Sequence, residues 1–545
     1  MRSGGVFLRD RTKRGVLIGA ATAMVAVVAT GVVVLWSGSG SADRENDGQA
    51  SDGPEAAAVA RDYLLAFSGA RPGSAAALTD DPTAAKATIL AVHGDLEADD
   101  VVTYLGSVTT EPDGQEATGN VSVKWTLGTD REWTYETPIG LVRTDDGWRV
   151  HWDPSLIHPS LGEGESLRLL TRDGTPAVLD RTGETLLTWR DDAVVPAEGV
   201  TADVLTPAMA RTAEEQSGSG QWSVTKVGAD DTELERLAGG GSEQDAKPLT
   251  ATVSLAARTA AQRAVDSVEL PTMLVALEPG SGDILAVAQN AEAGAQPNAL
   301  TGLYPPGSTF KIATAVAALN EGDVSADTVL DCPGTATIGT RTIPNDGEFA
   351  LGRVPLHTAF AKSCNTTFGA LAAKLPADGL SRAAGQLGLN ADFDIPGIST
   401  ELGRADPAED PVLRLEEGIG QGELQASPFG LAVMVATVAG GEAVTPELWR
   451  DLETTVNSGY EAPSETVLAP VRGMMREVVT DGTATALSGR GTVLGKTGTA
   501  QFSDGSQAHG WFAGYREDVA FAVLTPGAGT SDPAVAVSGR FLDGL

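Results

Sequence analysis

The stretch "GLYPPGSTFKIATAVAALNEG", from Gly302 to Gly322, places one basic side chain in a segment that is otherwise apolar or small. A Pro-Pro-Gly turn leads to Ser308, and the residues after it have the composition of a buried helix. Lys311 is the only charged residue in this stretch before Glu321. Because Ser308 and Lys311 are three positions apart, a helix places their side chains on one face.

This pairing predicts nucleophilic chemistry. A serine hydroxyl is a weak nucleophile unless a base removes its proton. Lysine can be that base when burial among apolar side chains lowers its pKa, and N–H groups at a helix N-terminus can stabilise an oxyanion at Ser308. The alternative is that Lys311 extends to the surface along its aliphatic stem.

A second copy of the pattern, Ser223 to Lys226, lies in a strand-like run. Positions three apart on a strand face opposite ways, so we interpret that copy as a chance match.

Two further motifs favour the catalytic interpretation. Ser363-Cys364-Asn365 precedes an apolar helical run, and Lys496-Thr497-Gly498-Thr499 lies in a strand-like run. The patterns S-x-x-K, Ser-x-Asn and K-T-G occur together in β-lactamases and penicillin-binding proteins. The similarity extends to four longer runs, "YPPGSTFKIATAVAAL", "KSCNTTF", "GIGQGELQASP" and "GKTGTAQ". The sequence from 249 to 545 therefore resembles the transpeptidase domain of class B penicillin-binding proteins.

The resemblance implies roles for the first two motifs. Ser308 would attack the carbonyl of the penultimate D-Ala in a stem peptide that ends in D-Ala-D-Ala, and Lys311 would take its proton. Ser363 would relay a proton to the leaving amine. Asn365 would bind the substrate amide and hold Lys311 in place.

The third motif is expected to bind the terminal carboxylate of the substrate. Lys496 would supply positive potential, and the hydroxyls of Thr497 and Thr499 would donate hydrogen bonds. Gly498 would let the substrate backbone lie close to the strand. The backbone N–H groups of Ser308 and Thr499 would form the oxyanion hole.

The N-terminus predicts a membrane anchor. The first 14 residues carry five basic side chains, and the run from Gly15 to Trp36 contains no charge. A run of this length can cross a bilayer core, which takes about 20 residues. Basic residues on its N-terminal side place that end in the cytoplasm and the remainder outside. A cleaved signal peptide is the alternative, although its apolar region would be about 7–15 residues long.

The remaining segments predict a multidomain α+β protein. After a Gly/Ser/Asp-rich stalk come two helical runs and several hairpin-like runs that end in "WRVHWDPSLIHP", which resemble the NTF2-like N-terminal domain of MecA-type penicillin-binding proteins. The transpeptidase-like region has β-rich ends around a helical middle, and we expect the ends to pair into one antiparallel sheet. The predicted segments are a basic cytoplasmic tail (1–14), a transmembrane helix (15–36), a flexible stalk (37–53), the NTF2-like cone (54–160), a strand-rich linker or dimerisation-type domain (161–248) and the serine β-lactamase/transpeptidase-like domain (249–545).

Composition excludes some classes of function. The chain has 38 Lys and Arg against 73 Asp and Glu, a formal net charge of −35, which argues against nucleic-acid binding. Five histidines in no zinc-binding pattern and two cysteines give no reason to expect a metal or cofactor. We interpret Cys364 as a packing residue, and a disulfide with Cys332 stays open.

Two further sequence features concern the walls of the predicted site. "GIGQGELQASP" (Gly418 to Pro428) resembles the family's Gly-Gln-Gly loop beside the active site, and its glycines either shape the loop or contact substrate. Trp511, Phe512 and Tyr515 are expected to be core residues.

The resemblance implies a peptidoglycan D,D-transpeptidase that cross-links stem peptides through a Ser308 acyl-enzyme and is a covalent target of β-lactams. Implied partners are lipid-linked or polymerised stem peptides, β-lactams, and wall-synthesis membrane proteins such as a glycosyltransferase. A carboxypeptidase would use the same residues with water as the acceptor. A β-lactamase or β-lactam sensor is one further alternative, and a scaffold of the wall-synthesis machinery is another.

Overall fold

The structure is a computed structural model that describes residues 53–190, 193–217, 221–240, 247–502 and 507–545. The predicted tail and membrane anchor, and the predicted stalk up to residue 52, lie outside these ranges. Within the ranges described, no helix has the length and apolar character needed to span a bilayer.

The N-terminal domain consists of three helices and a five-stranded antiparallel sheet, one short helix more than predicted. The sheet order is β1-β3-β4-β5, and β2 pairs with β3. Asp81 fixes the start of α3, because its carboxylate accepts hydrogen bonds from the N–H groups of Thr83 and Ala84. The elements are α1 (Gly53–Ser68), α2 (Pro72–Ala76), α3 (Pro82–Leu96), β1 (Asp100–Leu105), β2 (Thr109–Thr110), β3 (Glu116–Thr126), β4 (Glu132–Thr144) and β5 (Gly147–Val150).

The strand-rich region that follows contains two separate sheets. One has the order β11-β10-β6 and the other β12-β7-β8-β9. Ser223 and Lys226 lie on β10, in the strand predicted for the chance copy of the Ser-x-x-Lys pattern. The elements are β6 (Ser166–Thr171), β7 (Pro176–Leu179), β8 (Thr185–Arg190), β9 (Ala193–Pro196), α4 (Thr206–Ser217), β10 (Trp222–Val227), β11 (Glu233–Gly240) and β12 (Leu249–Thr250).

The side chains of this region divide between two hydrophobic cores. Leu167 and Val224 pack in the core of the N-terminal domain. Leu187, Trp189 and Met209 pack in the core of the C-terminal domain. The predicted linker domain therefore extends both neighbouring cores.

The C-terminal domain begins with a helix and a buried hairpin and continues into a helical middle with four two-stranded ribbons, β15-β18, β16-β17, β19-β22 and β20-β21. Its first helices are α5 (Leu255–Val265), α6 (Asn298–Thr301), α7 (Lys311–Asn320), α8 (Leu356–Ala361), α9 (Asn365–Ala372), α10 (Gly379–Gln386), α11 (Pro411–Glu417), α12 (Pro428–Gly440) and α13 (Glu465–Thr480). Its first strands are β13 (Met273–Leu277), β14 (Ile284–Gln289), β15 (Val329–Cys332), β16 (Thr335–Ile338), β17 (Arg341–Pro344), β18 (Gly352–Pro355), β19 (Asp392–Asp394), β20 (Gly403–Arg404), β21 (Gln425–Ala426) and β22 (Thr455–Ser458).

The two ends of the C-terminal domain form one antiparallel sheet, as predicted. Its order is β14-β13-β25-β24-β23, so β23 is an edge strand. Trp511 and Phe512 on β24 are fully buried and Tyr515 is 8% exposed, which confirms the prediction that they are core residues. The closing elements are β23 (Val493–Phe502), β24 (Gln507–Arg516), β25 (Val519–Thr525) and α14 (Asp532–Gly544).

Candidate active site

Ser308 lies just before α7, not in its first turn as predicted. It belongs to a short 3₁₀ helix, Gly307–Phe310, and α7 begins at Lys311. The turn packs closely on β23 because both partners have glycine at the contact. A Cβ on Gly307 would lie 2.8 Å from the carbonyl oxygen of Thr499, and a Cβ on Gly498 would lie 2.9 Å from that of Pro306.

Gly498 packs against another part of the chain, and its contact with the substrate backbone stays a prediction. Its open face accommodates Pro306 and Thr309 of the chain itself. The glycine brings the nucleophile's turn against the strand, and substrate is not needed to explain why a side chain is absent there.

Lys311 is fully buried and makes four polar contacts. Its Nζ lies 3.0 Å from Ser308 Oγ, 2.6 Å from Asn365 Oδ1, and 2.8 Å and 3.2 Å from the carbonyl oxygen and Oγ of Ser363. Burial, followed by the charge of Lys496, holds the pKa of Lys311 well below its usual value. A neutral Lys311 amine can accept the proton of Ser308.

The Ser-Cys-Asn turn faces Lys311 through an unusual backbone conformation. Ser363 has φ +61°, a left-handed conformation that is rare outside glycine. Asn365 is oriented by its amide nitrogen, which donates to the carbonyl oxygen of Pro344 at 3.0 Å. Its Oδ1 is therefore free to accept from Lys311.

Cys364 forms a disulfide with Cys332, so its interpretation as a packing residue alone was incomplete. The Cα atoms are 6.2 Å apart, within bridging distance. The ribbon β15-β18 brings Cys332 to the start of α9, across 32 positions of sequence. The bond ties the second motif to this ribbon.

Lys496 lies behind the site. Its side chain is fully buried, and its Nζ donates to the carbonyl oxygen of Thr497 at 3.2 Å and lies 5.7 Å from the ring centre of Phe360. Burial lowers the pKa of Lys496 to about 7. The charge of Lys496 is therefore only partial near neutral pH.

These groups open into a cleft of about 1160 Å³. Five of the eight predicted site residues line it: Ser308, Ser363, Asn365, Thr497 and Thr499. Lys311, Lys496 and Gly498 are not among the lining residues, and both lysines are fully buried.

Sequence reasoning missed several cleft residues. Arg341 and Glu416 form an ion pair of 2.7 Å between the β16-β17 ribbon and the end of α11, and both line the cleft. Thr483 lines it from the turn after α13. No motif marks these residues, because tertiary packing alone brings them to the cleft.

The Gly-Gln-Gly loop both shapes the site and forms part of its wall. Gly420, at φ +80°, accepts a hydrogen bond from Gly307 N–H at 2.8 Å and leaves no space for a Cβ. Gln421 and Gly422 line the cleft. With its amide oriented to satisfy both groups, Gln421 pairs with the backbone N–H and C=O of Gln501 on β23, at 3.0 and 3.1 Å.

A serine beside a buried lysine, at the edge strand of an antiparallel sheet, places the C-terminal domain in the serine β-lactamase/transpeptidase class. The family model of the penicillin binding protein transpeptidase domain matches residues 272–542, and that of the NTF2-like N-terminal transpeptidase domain matches residues 55–165. The chain belongs to the class B penicillin-binding proteins with an NTF2-like N-terminal domain.

Relatives agree with this assignment, and a solved structure shares the fold. The chain is similar to peptidoglycan D,D-transpeptidase PbpA of Mycobacterium tuberculosis (29% identity over 46% of this chain and 61% of that protein). Its similarity to PbpA of Mycolicibacterium smegmatis is 32% identity over 45% of this chain and 51% of that protein. The chain therefore matches about half to three fifths of these relatives' lengths. The crystal structure of Pseudomonas aeruginosa PBP2 in complex with WCK 5153 shares the fold, with a TM-score of 0.54 and 22% identity, over 69% of this chain and 96% of that one.

Proposed function

We propose that this chain is a serine-type peptidoglycan D,D-transpeptidase that is acylated by β-lactams at Ser308. The observation that carries the proposal is the contact of 3.0 Å between Ser308 Oγ and the buried Nζ of Lys311. The names of the relatives, peptidoglycan D,D-transpeptidases, support the reaction.

In the proposed acylation, Lys311 takes the proton of Ser308 as Oγ bonds to the carbonyl carbon of the penultimate D-Ala. The bond to the terminal D-Ala nitrogen then breaks, and the proton passes to that leaving amine through Ser363, whose Oγ is 3.2 Å from Lys311 Nζ. The N–H groups of Ser308 and Thr499 stabilise the oxyanion. Lys496, Thr497 and Thr499 bind the terminal carboxylate.

The second step completes the transfer. The amine of a second stem peptide attacks the acyl carbon and loses a proton as the new amide forms. The ester bond to Ser308 breaks, and Oγ regains a proton. β23 is the edge strand of the sheet, and in this proposal the donor peptide binds beside it at Thr497 and Thr499 while the acceptor amine enters the cleft separately.

The proposal extends to the parts of the chain around the catalytic domain. Residues 15–36 would anchor the protein as a single span, with residues 1–14 in the cytoplasm and the catalytic domain (249–545) outside. The cone (54–160) and the linker (161–248) would hold that domain away from the membrane. A membrane-bound glycosyltransferase that supplies glycan strands is the proposed partner.

The first experiment is to incubate the full chain, in detergent, with a fluorescent penicillin, alongside Ser308→Ala. Stable labelling that requires Ser308 is the expected result. Rapid loss of label with drug turnover would indicate a β-lactamase. No label at high drug concentration would contradict β-lactam acylation, and a stem-peptide assay would then separate a resistant transpeptidase from a scaffold.

A further inference from the structure

Arg341 and Glu416 form an ion pair that lines the cleft and belongs to none of the three motifs. Nε of Arg341 lies 2.7 Å from Oε1 of Glu416, and the two side chains are 55% and 28% exposed. Within the described part of the chain, no hydrogen bond or ion pair engages Nη1 or Nη2 of Arg341 or Oε2 of Glu416. The pair therefore has donors and an acceptor that are available to a ligand.

The Glu416 side of the pair is connected to the far end of β23. The carbonyl oxygen of Glu416 accepts a hydrogen bond from the N–H of Gln421 at 3.0 Å, and the Gln421 side chain pairs with the backbone of Gln501. Gln501 lies four positions beyond Thr497 on β23, which is about 13 Å along a strand. The pair thus belongs to the end of the cleft that lies away from Thr497.

The Arg341 side is connected to the centre of the site through β17. Arg341 begins this strand, and the carbonyl oxygen of Pro344, at its end, accepts a hydrogen bond from Nδ2 of Asn365 at 3.0 Å. The other side-chain atom of that amide, Oδ1, contacts Lys311. Three strand positions cover about 10 Å, a distance that a long side chain of a peptide bound at Ser308 can bridge.

The proposed acylation places a stem peptide between these points. Its terminal carboxylate binds at Thr497 and Thr499, and its penultimate carbonyl lies at Ser308. The residues before the two D-alanines therefore lie beyond Ser308, away from Thr497. Because a second copy of the stem peptide supplies the acceptor amine, the stem carries an amine on a side chain in this upstream part.

The other charged residues of the cleft lining narrow the choice of ligand. Lys362 already pairs with Asp481, whose carboxylate is 3.4 Å away. Asp346 and Glu348 are acidic, so they disfavour a carboxylate that comes without an ammonium. A ligand group that carries both charges fits this part of the cleft better than a carboxylate alone.

We infer that Arg341 and Glu416 recognise, on the donor stem peptide, a side chain that ends in an amine beside a carboxylate. The ammonium binds Oε2 of Glu416. The carboxylate binds the Nη1 and Nη2 side of Arg341, because a planar guanidinium presents donors that match a carboxylate. A side chain that ends in an amine alone leaves these donors of Arg341 without a ligand. The inference rests on the proposed function, since it assumes that a stem peptide binds at Ser308.

The test measures the release of D-alanine by the full chain from three donor pentapeptides that differ only in this side chain. The side chain ends in an amine beside a carboxylate in the first donor, in an amine alone in the second, and in a methyl group in the third. The readout is kcat/KM, which reports the steps up to acylation and does not depend on the acceptor.

The variants are Arg341→Gln and Glu416→Gln, each of which removes one charge of the pair. Arg353→Gln is the matched control, because Arg353 is an exposed arginine that pairs with Asp331 at 3.7 Å on another ribbon and is not among the cleft-lining residues. Labelling of Ser308 by a fluorescent penicillin shows that each variant has a folded site.

We expect wild type to prefer the first donor to the second by about fivefold, the effect of one partly exposed ion pair. Arg341→Gln should bring this ratio close to one. Glu416→Gln should reduce the preference for the second donor over the third, because both charged side chains lose the partner of their ammonium. Arg353→Gln should keep both ratios of wild type.

Three outcomes would contradict the inference. Equal slowing of all three donors by Arg341→Gln would mean that the pair only joins the ribbon to α11. Equal rates of wild type on the three donors would mean that the pair does not distinguish side chains, and the proposed function would stand. A wild-type chain that releases D-alanine from none of them would overturn the proposed function, and the inference with it.

Discussion

Lys311 and Lys496 are two amines buried in one domain, and neither has a carboxylate partner among the ion pairs of the described residues. Burying a charged amine without a counterion is costly, so burial lowers the pKa of each. A buried neutral lysine stabilises the fold no more than an apolar side chain of similar size would. The arrangement makes sense as catalysis, since a neutral amine beside Ser308 is a base that works near neutral pH.

The rate of acylation should therefore rise with pH along a curve whose midpoint lies well below about 10.4, the usual lysine pKa. The direction follows because only the neutral Lys311 amine can accept the proton of Ser308, and burial lowers its pKa. Lys496→Met should move the midpoint to higher pH, because the positive charge of Lys496 also lowers the pKa of Lys311. Stopped-flow acylation by a chromogenic β-lactam from pH 5 to 10 measures both. A wild-type midpoint near 10 would rule out a desolvated base.

Glu417 is a second buried titratable group, next to the Gly-Gln-Gly loop. Its side chain is 3% exposed, and its Oε2 has no hydrogen-bond partner within the described part of the chain. Burial, and then the charges of Glu423 and Asp406, raise its pKa from 4.5 to about 7. The folded protein therefore holds this proton more tightly than the unfolded chain does.

The free energy of unfolding should fall as pH rises from about 4.5 to about 7, where Glu417 ionises in the folded protein. The stability that Glu417 contributes is complete below its pKa in the unfolded chain, 4.5, and is lost above its pKa in the folded protein, about 7. Glu417→Gln removes the ionisation, so at pH 8 this variant should be more stable than wild type, by on the order of 2 kcal/mol. Urea unfolding at pH 5 and pH 8 measures the difference. Glu442→Gln, an exposed carboxylate, is the control, and an equal gain from it would refute the assignment to Glu417.

At the scale of elements, the disulfide joins the second motif to the β15-β18 ribbon. The bond connects β15 to the residue between Ser363 and Asn365, across 32 positions. A cross-link over that separation contributes about 3–4 kcal/mol in the chain-entropy account. It also holds the backbone that carries the partners of Lys311.

Cys332→Ser and Cys364→Ser should each lower the free energy of unfolding by about 3–4 kcal/mol, since either one breaks the bond. Each should also slow acylation, because Ser363 and Asn365 lose a fixed position. Urea unfolding and labelling by penicillin, with and without dithiothreitol, test this. The variants should be insensitive to the reductant while wild type is weakened by it. Wild-type behaviour in both single variants would show that the bond contributes nothing.

Local spacing explains what could be predicted of the site. Ser308 and Lys311 meet because they are three positions apart on a turn, and Ser363 and Asn365 flank one tight turn. Thr483 and the Arg341–Glu416 pair reach the cleft through packing between elements distant in sequence, which no local pattern encodes. Packing between elements distant in sequence also brings Cys332 to Cys364.

At the scale of the whole molecule, the region predicted as a linker contributes to both hydrophobic cores, and its second sheet and α4 pack with the core of the C-terminal domain. Trp189 and Met209 pack with that core, and Arg181, in the β7-β8 turn, donates to Glu278 at 3.0 Å in the β13-β14 turn. Arg258 on α5 pairs with Asp203 ahead of α4. The sequence indicates a strand-rich segment between two domains. Which core each strand packs against depends on which faces of the elements meet, and a run of short strands does not specify those contacts.

We therefore expect the two hydrophobic cores to unfold as two units. The boundary between these units should not follow the segment boundaries predicted from the sequence. Acylation of Ser308 should raise the midpoint of only the unit that contains it, because a group bound to the folded state stabilises the unit that binds it. Trp189→Ala should lower that same transition, with a loss of about 3–5 kcal/mol, although Trp189 lies in the segment predicted as a linker. Trp125→Ala, a fully buried tryptophan of the N-terminal core, is the matched variant and should lower the other transition.

Differential scanning calorimetry of the full chain with and without bound penicillin measures both transitions. If Trp189→Ala lowered the transition that penicillin leaves unchanged, β7, β8 and β9 would belong energetically to the cone. If a single transition responded to every change, the cone and the catalytic domain would be one cooperative unit. Two transitions, divided as the cores divide, would mean that the cone can lose its structure while Ser308 stays in place, and so that the N-terminal domain positions the enzyme without being needed for its chemistry.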